Sequence, residues 1–547
     1  MNTPLQRTRA LIIEHPLAAA FMMIAVVIRI IFWLYTDRTW EDALITITPA
    51  QNFWLGYGIT HHISEPQVHS FTSPFSLLIP LVGDAFGYGL TLLKLTSLIF
   101  AAGAIYYAYR IGLLLKFHWS AQVLMLSYLA TDQLQIFFGM TGMETQLTTA
   151  IFLGTVYYLI QKKWGLLGLF GGLGMLARPE FVFWVPVIGL YLLIWHRKHF
   201  LSVLIPFLCI TLPWYLFAFV YYGSFIPNTI VAKSFSGHSV GSFSKVLDYV
   251  LDSWRNMAPF KEWFFASEVP IPLSILAVTV ASVILLSICG FIKAWQLRNK
   301  ELLAISIILA IFIVYRSITQ LSPYLMWYLP PFMALLFLLA AYGLSNVAIR
   351  HRYLASTLGC FIAIMYAIHI PFTFPVEKIV QEKIECDVRF KTGLILNDMM
   401  GASDTVVLEP LGYIGYGAFN KTTYDHPGLS SKVVVKTLKE SHNKSIYDLI
   451  VLLQPSFIVL RPNEIQRLQT TQADTAKNYR PVAHIRAEEN LSLEKWGYSS
   501  QRNKDIDGDF TIFQRITPPT ELGPQKPMTT VSINSKIPKQ FCYKSDH

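Results

Sequence analysis

Residues 16–46 read PLAAAFMMIAVVIRIIFWLYTDRTWEDALIT. The first 21 are apolar but for Arg29 and Thr36, enough at about 1.5 Å per residue to cross a hydrocarbon core of about 30 Å. The length of the run and the arginine within it argue against a cleaved signal peptide. Charge begins where the run ends, at Asp37 and Arg38, and two adjacent carboxylates follow, Glu41 and Asp42. Trp, Tyr, Lys or Arg would serve a membrane interface better than a pair of acids. The chain therefore opens with a membrane helix whose exit carries groups that anchoring does not require.

The composition agrees. Of 547 residues, 53% are hydrophobic and 14% charged, against about 25% charged in soluble proteins. This excludes a disordered protein, an ordinary cytosolic enzyme and a nucleic-acid binder built on a basic patch. The charges are uneven: residues 1–374 carry 22 Lys and Arg with 14 Asp and Glu, whereas the shorter 375–547 carries 22 and 20. Most of the net charge of +10 thus belongs to the membrane part, where it records topology rather than a nucleic-acid partner.

Apolar runs recur near 16–36, 90–115, 119–138, 146–161, 164–177, 181–195, 201–222, 269–292, 301–318, 327–346 and 353–372. They predict a polytopic α-helical membrane protein with about eleven transmembrane helices. With the N-terminus inside, the inner loops receive 13 of the 22 basic residues, among them Arg7, Arg110, Lys116, Arg197, Lys293 and Arg350, and only Glu14 and Glu301 of the acids. A wrong count would scramble that bias. An odd number of crossings puts the C-terminal part outside.

The sequence thus divides into a membrane module, 1–374, with its first outer loop at about 37–89; an exported α/β domain, 375–516; and a loosely ordered tail, 517–547, rich in Pro, Thr, Ser and Lys. In the exported part, strand-like runs (Thr405 to Leu408, Phe457 to Leu460) alternate with helix-like ones (Ser445 to Leu453, Asn463 to Leu468). Cys209, Cys289 and Cys360 lie in apolar spans and read as packing residues. Cys386 and Cys542, both exported, are candidates for a disulfide, although sequence does not say whether their Cα atoms approach.

The first outer segment, Thr39-Trp40-Glu41-Asp42-Ala43-Leu44-Ile45-Thr46, is followed by Gly56-Tyr57-Gly58 and Phe71-Thr72-Ser73-Pro74. On a helix Glu41 and Asp42 point about 100° apart, so at most one aims into a given cavity. The alternative is a solvated loop with acids favoured at a helix N-terminus. Other outer pieces are Gly142-Met143-Glu144-Thr145, Leu176-Ala177-Arg178-Pro179-Glu180, Tyr222-Gly223-Ser224-Phe225-Ile226-Pro227-Asn228-Thr229 leading to Ala232-Lys233, and Met326-Trp327-Tyr328-Leu329-Pro330. In the exported domain stand Gly412-Tyr413-Ile414-Gly415-Tyr416 and Asp425-His426-Pro427-Gly428-Leu429.

In order and placement these pieces resemble the GT-C glycosyltransferases, membrane enzymes that use a polyprenyl-phosphate sugar. The nearest resemblance is to the branch with mycobacterial terminal arabinofuranosyltransferases. It runs from about Thr39 to about Glu464. Glu41 departs from the Asp usual at that place, so Asp42 takes the catalytic role and Glu41 stands second. The resemblance implies a GT-C fold, a bacterial inner-membrane location, a polyprenyl-phosphate sugar donor and an acceptor glycan, glycolipid or protein, met at the outer face of the bilayer.

A glycosidase needs two carboxylates because its leaving group is a poor alkoxide. A polyprenyl phosphate leaves as a stable anion, so one base suffices, with cations to hold the phosphate. Asp42 is the expected base and Glu144 a second acidic group orienting the acceptor. Arg178, Lys233 and Arg316 are the phosphate-side candidates, and Asn228 a further substrate-binding residue. Each has a plainer reading: Arg178 and Glu180 as an interfacial ion pair, Lys233 as a snorkelling lysine, Arg316 as a helix-end anchor. His61, His62 and His69 raise a divalent metal beside the carboxylates, but their spacing matches no known site, and no cofactor is assigned. A transporter or flippase of lipid-linked glycans is the rival class. It would place ionisable groups near the midplane on inverted repeats, and no repeat is seen.

Overall fold

The computed structural model describes residues 14–235, 272–319, 326–488, 504, 506–516 and 542. Within them every expected apolar run is helical. The helices are α1 (Pro16–Thr36), α2 (Glu41–Trp54), α3 (Pro74–Asp84), α4 (Gly89–Leu114), α5 (Trp119–Thr131), α6 (Gln133–Met140), α7 (Thr145–Gln161), α8 (Trp164–Ala177), α9 (Trp184–Trp195) and α10 (Phe200–Tyr222). There follow α11 (Asn228–Phe235), α12 (Leu273–Gln296), α13 (Lys300–Thr319), α14 (Leu329–Arg350), α15 (Arg352–Ala367) and α16 (Ile370–Val380). A π-helical segment (Gln381–Phe390) then leads into α17 (Lys391–Met399).

Among the described residues, six helical stretches are long and apolar enough to cross a membrane: α1, α4, Arg197–Tyr222, Ser274–Gln296, Met326–Arg350 and Arg352–Met399. The other five expected crossings are helices that do not meet that measure. The expected span 119–138 is in fact two helices. Asp132 leaves the helical conformation between α5 and α6, and its carboxylate accepts the Gln135 N–H at 2.9 Å, capping α6.

Two devices hold the bundle together. Gly290 and Gly343 let α12 and α14 touch backbone to backbone: a Cβ on either would lie 2.0 Å from a carbonyl oxygen of the other helix. Arg29, fully buried in α1, donates to the carbonyls of Ala25, Leu129 and Ala130 at 3.0–3.1 Å and to the Gln146 side chain at 3.3 Å. The charge that interrupts the first apolar run is thereby spread over backbone oxygens near the α5–α6 break.

The expected boundary at 374/375 falls inside α16, so the membrane part continues into the C-terminal part as unbroken helix. That part holds a five-stranded sheet: β1 (Thr405–Leu408), β2 (Thr422–Asp425), β3 (Phe457–Leu460), β4 (Tyr479–Arg486) and β5 (Asp509–Arg515), in the order β2-β1-β3-β5-β4. The first three are parallel, and β5 pairs antiparallel with β3 and β4. Central strands are covered on both faces. Val406, Leu408, Phe457 and Val459 pack to one side, Val407, Ile458 and Leu460 to the other, as the two-residue strand period requires. Helices α18 (Leu411–Gly417), α19 (Lys432–Glu440), α20 (Ile446–Leu453) and α21 (Pro462–Thr471) connect the strands or cover them. The tail expected at 517–547 lies outside the described residues except for Cys542. That residue is bonded to Cys386, with the Cα atoms 5.3 Å apart, and packs against the cluster of Leu44, Ile47 and Tyr413.

Candidate active site

The turn before α2 sets the geometry. Trp40 precedes the helix in extended conformation, and its backbone N–H donates to Thr141 O at 2.7 Å. The 141–144 loop can come this close because Gly142 has φ +92° and no side chain. A Cβ there would lie 2.8 Å from Ala43 Cβ. Glu144 is thereby brought to the start of α2.

Glu144, buried, accepts from Arg178 Nε at 2.8 Å. Arg178 sits in extended conformation where α8 stops and Pro179 begins a 3-10 turn, and its guanidinium lies 5.1 Å from the Tyr328 ring. Lys233, on α11, has its ammonium 6.0 Å from the Trp327 ring. These side chains and Asp42 line one cavity open to solvent, with about 500 Å³ of empty space. Ser70, Thr229 and Leu429 contribute to its wall.

Burial pushes the Asp42 carboxyl above the usual carboxylate range, opposed by Lys233 and then Arg178. Among the described residues, three buried donor atoms on cavity-lining residues have no hydrogen-bond partner: Arg178 Nη2, Ser70 Oγ and Thr229 Oγ1. Buried donors are normally paired. A cation and two hydroxyls left in this way suit an anionic, oxygen-rich ligand.

Glu41 turns away from the cavity. Its carboxylate pairs with Arg389 and accepts the Gly412 N–H at 3.2 Å. Gly412 has no room for a side chain, since a Cβ would fall 2.2 Å from Glu41 Cγ. Arg389 continues to Glu385 at 2.8 Å, Glu385 to Arg38 at 3.0 Å and Arg38 to Glu377 at 3.0 Å. The expected pair of acids is therefore divided: Asp42 faces the cavity and Glu41 joins the C-terminal part to α2.

Asn228 is not among the cavity residues. Its amide donates to Gly428 O at 2.7 Å and to Leu429 O at 3.3 Å, and its backbone N–H to His69 O at 2.9 Å. Asp425 holds the same turn by accepting the Leu429 and Ser430 N–H groups, so Leu429 is fixed as part of the cavity wall. Arg316, buried, lies 6.0 Å from the ring of Tyr328, which lines the cavity, but is not itself among the lining residues.

The three histidines do not line the cavity either. His69 stacks on Tyr222 at 4.8 Å, and His62 shares a hydrogen bond with Ser64. Burial lowers the pKa of His61 to about 3 and those of His62 and His69 to about 4, so all three are neutral at pH 7. Among the described residues no three His, Cys, Asp or Glu side chains converge as metal ligands.

Sequence reading missed Ser70 as a cavity residue, although Ser70 adjoins the quoted Phe71-Thr72-Ser73-Pro74. It also missed Arg38, Glu377, Glu385 and Arg389. The i,i+4 spacing of Glu385 and Arg389 is a local ion-pair signal, but their contacts with Arg38 and Glu41, like that of Arg38 with Glu377, span more than 300 residues.

Comparison with known proteins adds the following. Residues 377–507 match a family model described as a domain of unknown function (DUF8728). No curated protein matches the sequence. A crystal structure of ArnT from Cupriavidus metallidurans bound to undecaprenyl phosphate is similar with a TM-score of 0.50 and 13% identity, covering 93% of this chain and 99% of that one. The oligosaccharyltransferase of Archaeoglobus fulgidus, in its apo form, is similar with a TM-score of 0.52 and 11% identity, covering 86% of this chain and 74% of that one. The chain shares its fold with these two structures.

Proposed function

We propose that this protein is an inverting membrane glycosyltransferase that moves a sugar from a polyprenyl-phosphate donor to an acceptor glycan, glycolipid or protein at the outer face of a bacterial inner membrane. The observation that carries the reading is the meeting of Asp42, Glu144, Arg178 and Lys233 around one solvent-open cavity, with Arg178 Nη2 unpartnered there. Likeness of fold to an ArnT crystallised with undecaprenyl phosphate supports the donor class. The order of the motifs supports the finer kinship with the arabinofuranosyltransferase branch.

In this reading the acceptor hydroxyl attacks the anomeric carbon as Asp42 takes its proton. The bond from that carbon to the phosphate oxygen breaks, and its electron pair leaves with the polyprenyl phosphate. A single displacement inverts the centre. Asp42 is suited to the task because burial raises its basicity, while Lys233 and Arg178 favour its ionised form. Arg178 and Lys233 meet the phosphate charge, Glu144 sets the Arg178 fork, and Glu41, Asn228 and Arg316 act as positioning residues.

The remaining assignments belong to the same proposal: about eleven crossings, a cytoplasmic N-terminus, a membrane module over 1–374 and an exported domain over 375–516. The test is turnover of purified Asp42→Asn protein. It should be slower by about two to four orders of magnitude, with expression and donor binding kept. Wild-type turnover by both Asp42→Asn and the Glu41/Asp42 double variant would remove the base from this site. In cells, loss of the gene should make one polyprenyl-phosphate sugar accumulate; a change only in its leaflet distribution would favour the flippase.

A further inference from the structure

A second cavity, with about 770 Å³ of empty space, lies between the turn after α4 and the C-terminal ends of α12 and α14. One helix relates it to the first. The turn that leads into α14 carries Trp327 and Tyr328, which line the Asp42 cavity, whereas Ser345, Asn346 and Ile349 of α14 line the second. From Leu329 to Ser345–Ile349 is about 24–30 Å at 1.5 Å per residue, close to the hydrocarbon thickness of a bilayer. The two cavities therefore open toward opposite membrane faces, whichever face is outer.

The chemistry of the second is one-sided. Lys116, held in left-handed conformation (φ 55°) in the turn after α4, and Lys293, in the last turn of α12, reach it from different helices. His118 lines it as well. The His118 backbone N–H is fixed by Ser345 Oγ at 2.9 Å and its Nδ1 by Ser120 at 2.9 Å, while its buried Nε2 has no partner among the described residues. No carboxylate is among the lining residues. The rim is apolar and outward-facing: Leu297 is 60% and Ile349 77% exposed.

The geometry points to a binding site for the phosphate headgroup of an anionic phospholipid from the leaflet opposite the Asp42 cavity. The two ammonium groups and the imidazole meet the phosphate diester. The acyl chains leave past Leu297 and Ile349 into the bilayer. A free phosphate would use the same cations but gain nothing from that apolar rim, which is why a lipid is favoured as the source.

The test uses the full chain reconstituted in nanodiscs of phosphatidylcholine doped with phosphatidylglycerol, then released for native mass spectrometry. One phosphatidylglycerol per chain should be retained in preference to phosphatidylcholine. Lys116→Gln with Lys293→Gln should weaken retention about 30-fold, and the thermal midpoint in pure phosphatidylcholine reports whether that variant is folded. Asn346→Trp, which fills the cavity and leaves both charges, should give the same loss. Undiminished retention in either folded variant overturns the proposal, as does equal retention of phosphatidylcholine. Displacement of the lipid by inorganic phosphate alone would identify a free-phosphate site and overturn the lipid assignment.

Discussion

Glu144 and Arg178 form an ion pair at 2.8 Å with both side chains 4% exposed, and Arg178, which lines the cavity, keeps its buried Nη2 unpaired. A buried pair is costly to break, because the survivor stays desolvated and unneutralised. The pair thus aims the Arg178 fork as well as stabilising it.

Glu144→Gln should accordingly lower stability by about 3–5 kcal/mol and raise the donor KM more than it lowers kcat. Chemical denaturation and donor titration of purified protein measure the two effects. An unchanged donor KM in a folded variant would detach Glu144 from the donor side.

The pH dependence of transfer follows from Asp42. Its carboxyl is held above the ordinary range by burial, and only the ionised form accepts a proton. Activity should therefore fall as pH drops through a value above roughly 3.9, the unperturbed pKa of Asp. Lys233 favours the ionised form, so Lys233→Met should move the acid limb to higher pH. A limb that stays put, or moves down, would show that Lys233 does not act on the base.

The Glu41–Arg389 contact makes a different forecast. Arg389→Gln takes the cation away from Glu41 and should destabilise by roughly 3 kcal/mol or more. Glu41→Gln leaves Arg389 paired with Glu385 and should cost less, and the double variant clearly less than the sum. Additive losses in the cycle would mean that the contact contributes no coupling. Turnover should suffer less from Glu41→Gln than from Asp42→Asn.

Gly142→Ala tests the close approach that presents Glu144. The residue would need a left-handed backbone and would press on Ala43. A cost of about 1–3 kcal/mol is expected, with impaired turnover in the protein that still folds. Wild-type stability and rate would show that the loop relaxes freely.

For topology, a reporter fused after Arg197 should remain cytoplasmic and one after Phe374 should be exported. Both on one side would break the charge-based threading and the sidedness of the Asp42 cavity.

The helices were legible because apolar runs and interruptions by Lys and Arg are local signals. The break at Asp132 was not, since a single capping acid inside an apolar run reads like any buried polar residue until its partner, the Gln135 N–H, is seen. In the candidate site, Asp42, Glu144, Arg178 and Lys233 were readable because each sits in a short motif at the end of a helix. The divergence of Glu41 from Asp42 followed from helical geometry, but its partner did not: Arg389 lies 348 positions away. Asn228 shows another limit of local reading. Its motif drew attention to the right turn, yet the side chain is engaged with the Gly428 and Leu429 carbonyls rather than the cavity.

Arg29 has a consequence for how this protein is made. A guanidinium at the middle of a membrane helix opposes insertion by about 2.5–3.5 kcal/mol, and the surrounding Ile, Val and Phe residues more than offset that. Helix α1 is therefore able to enter the bilayer without its partners from other helices. Yet of the oxygens that finally receive its charge, only Ala25 O lies in the same helix; the others belong to Leu129, Ala130 and Gln146. They are synthesised about a hundred residues later. The contacts that seal α1 on this side thus form only once α5 and α7 are present to receive it.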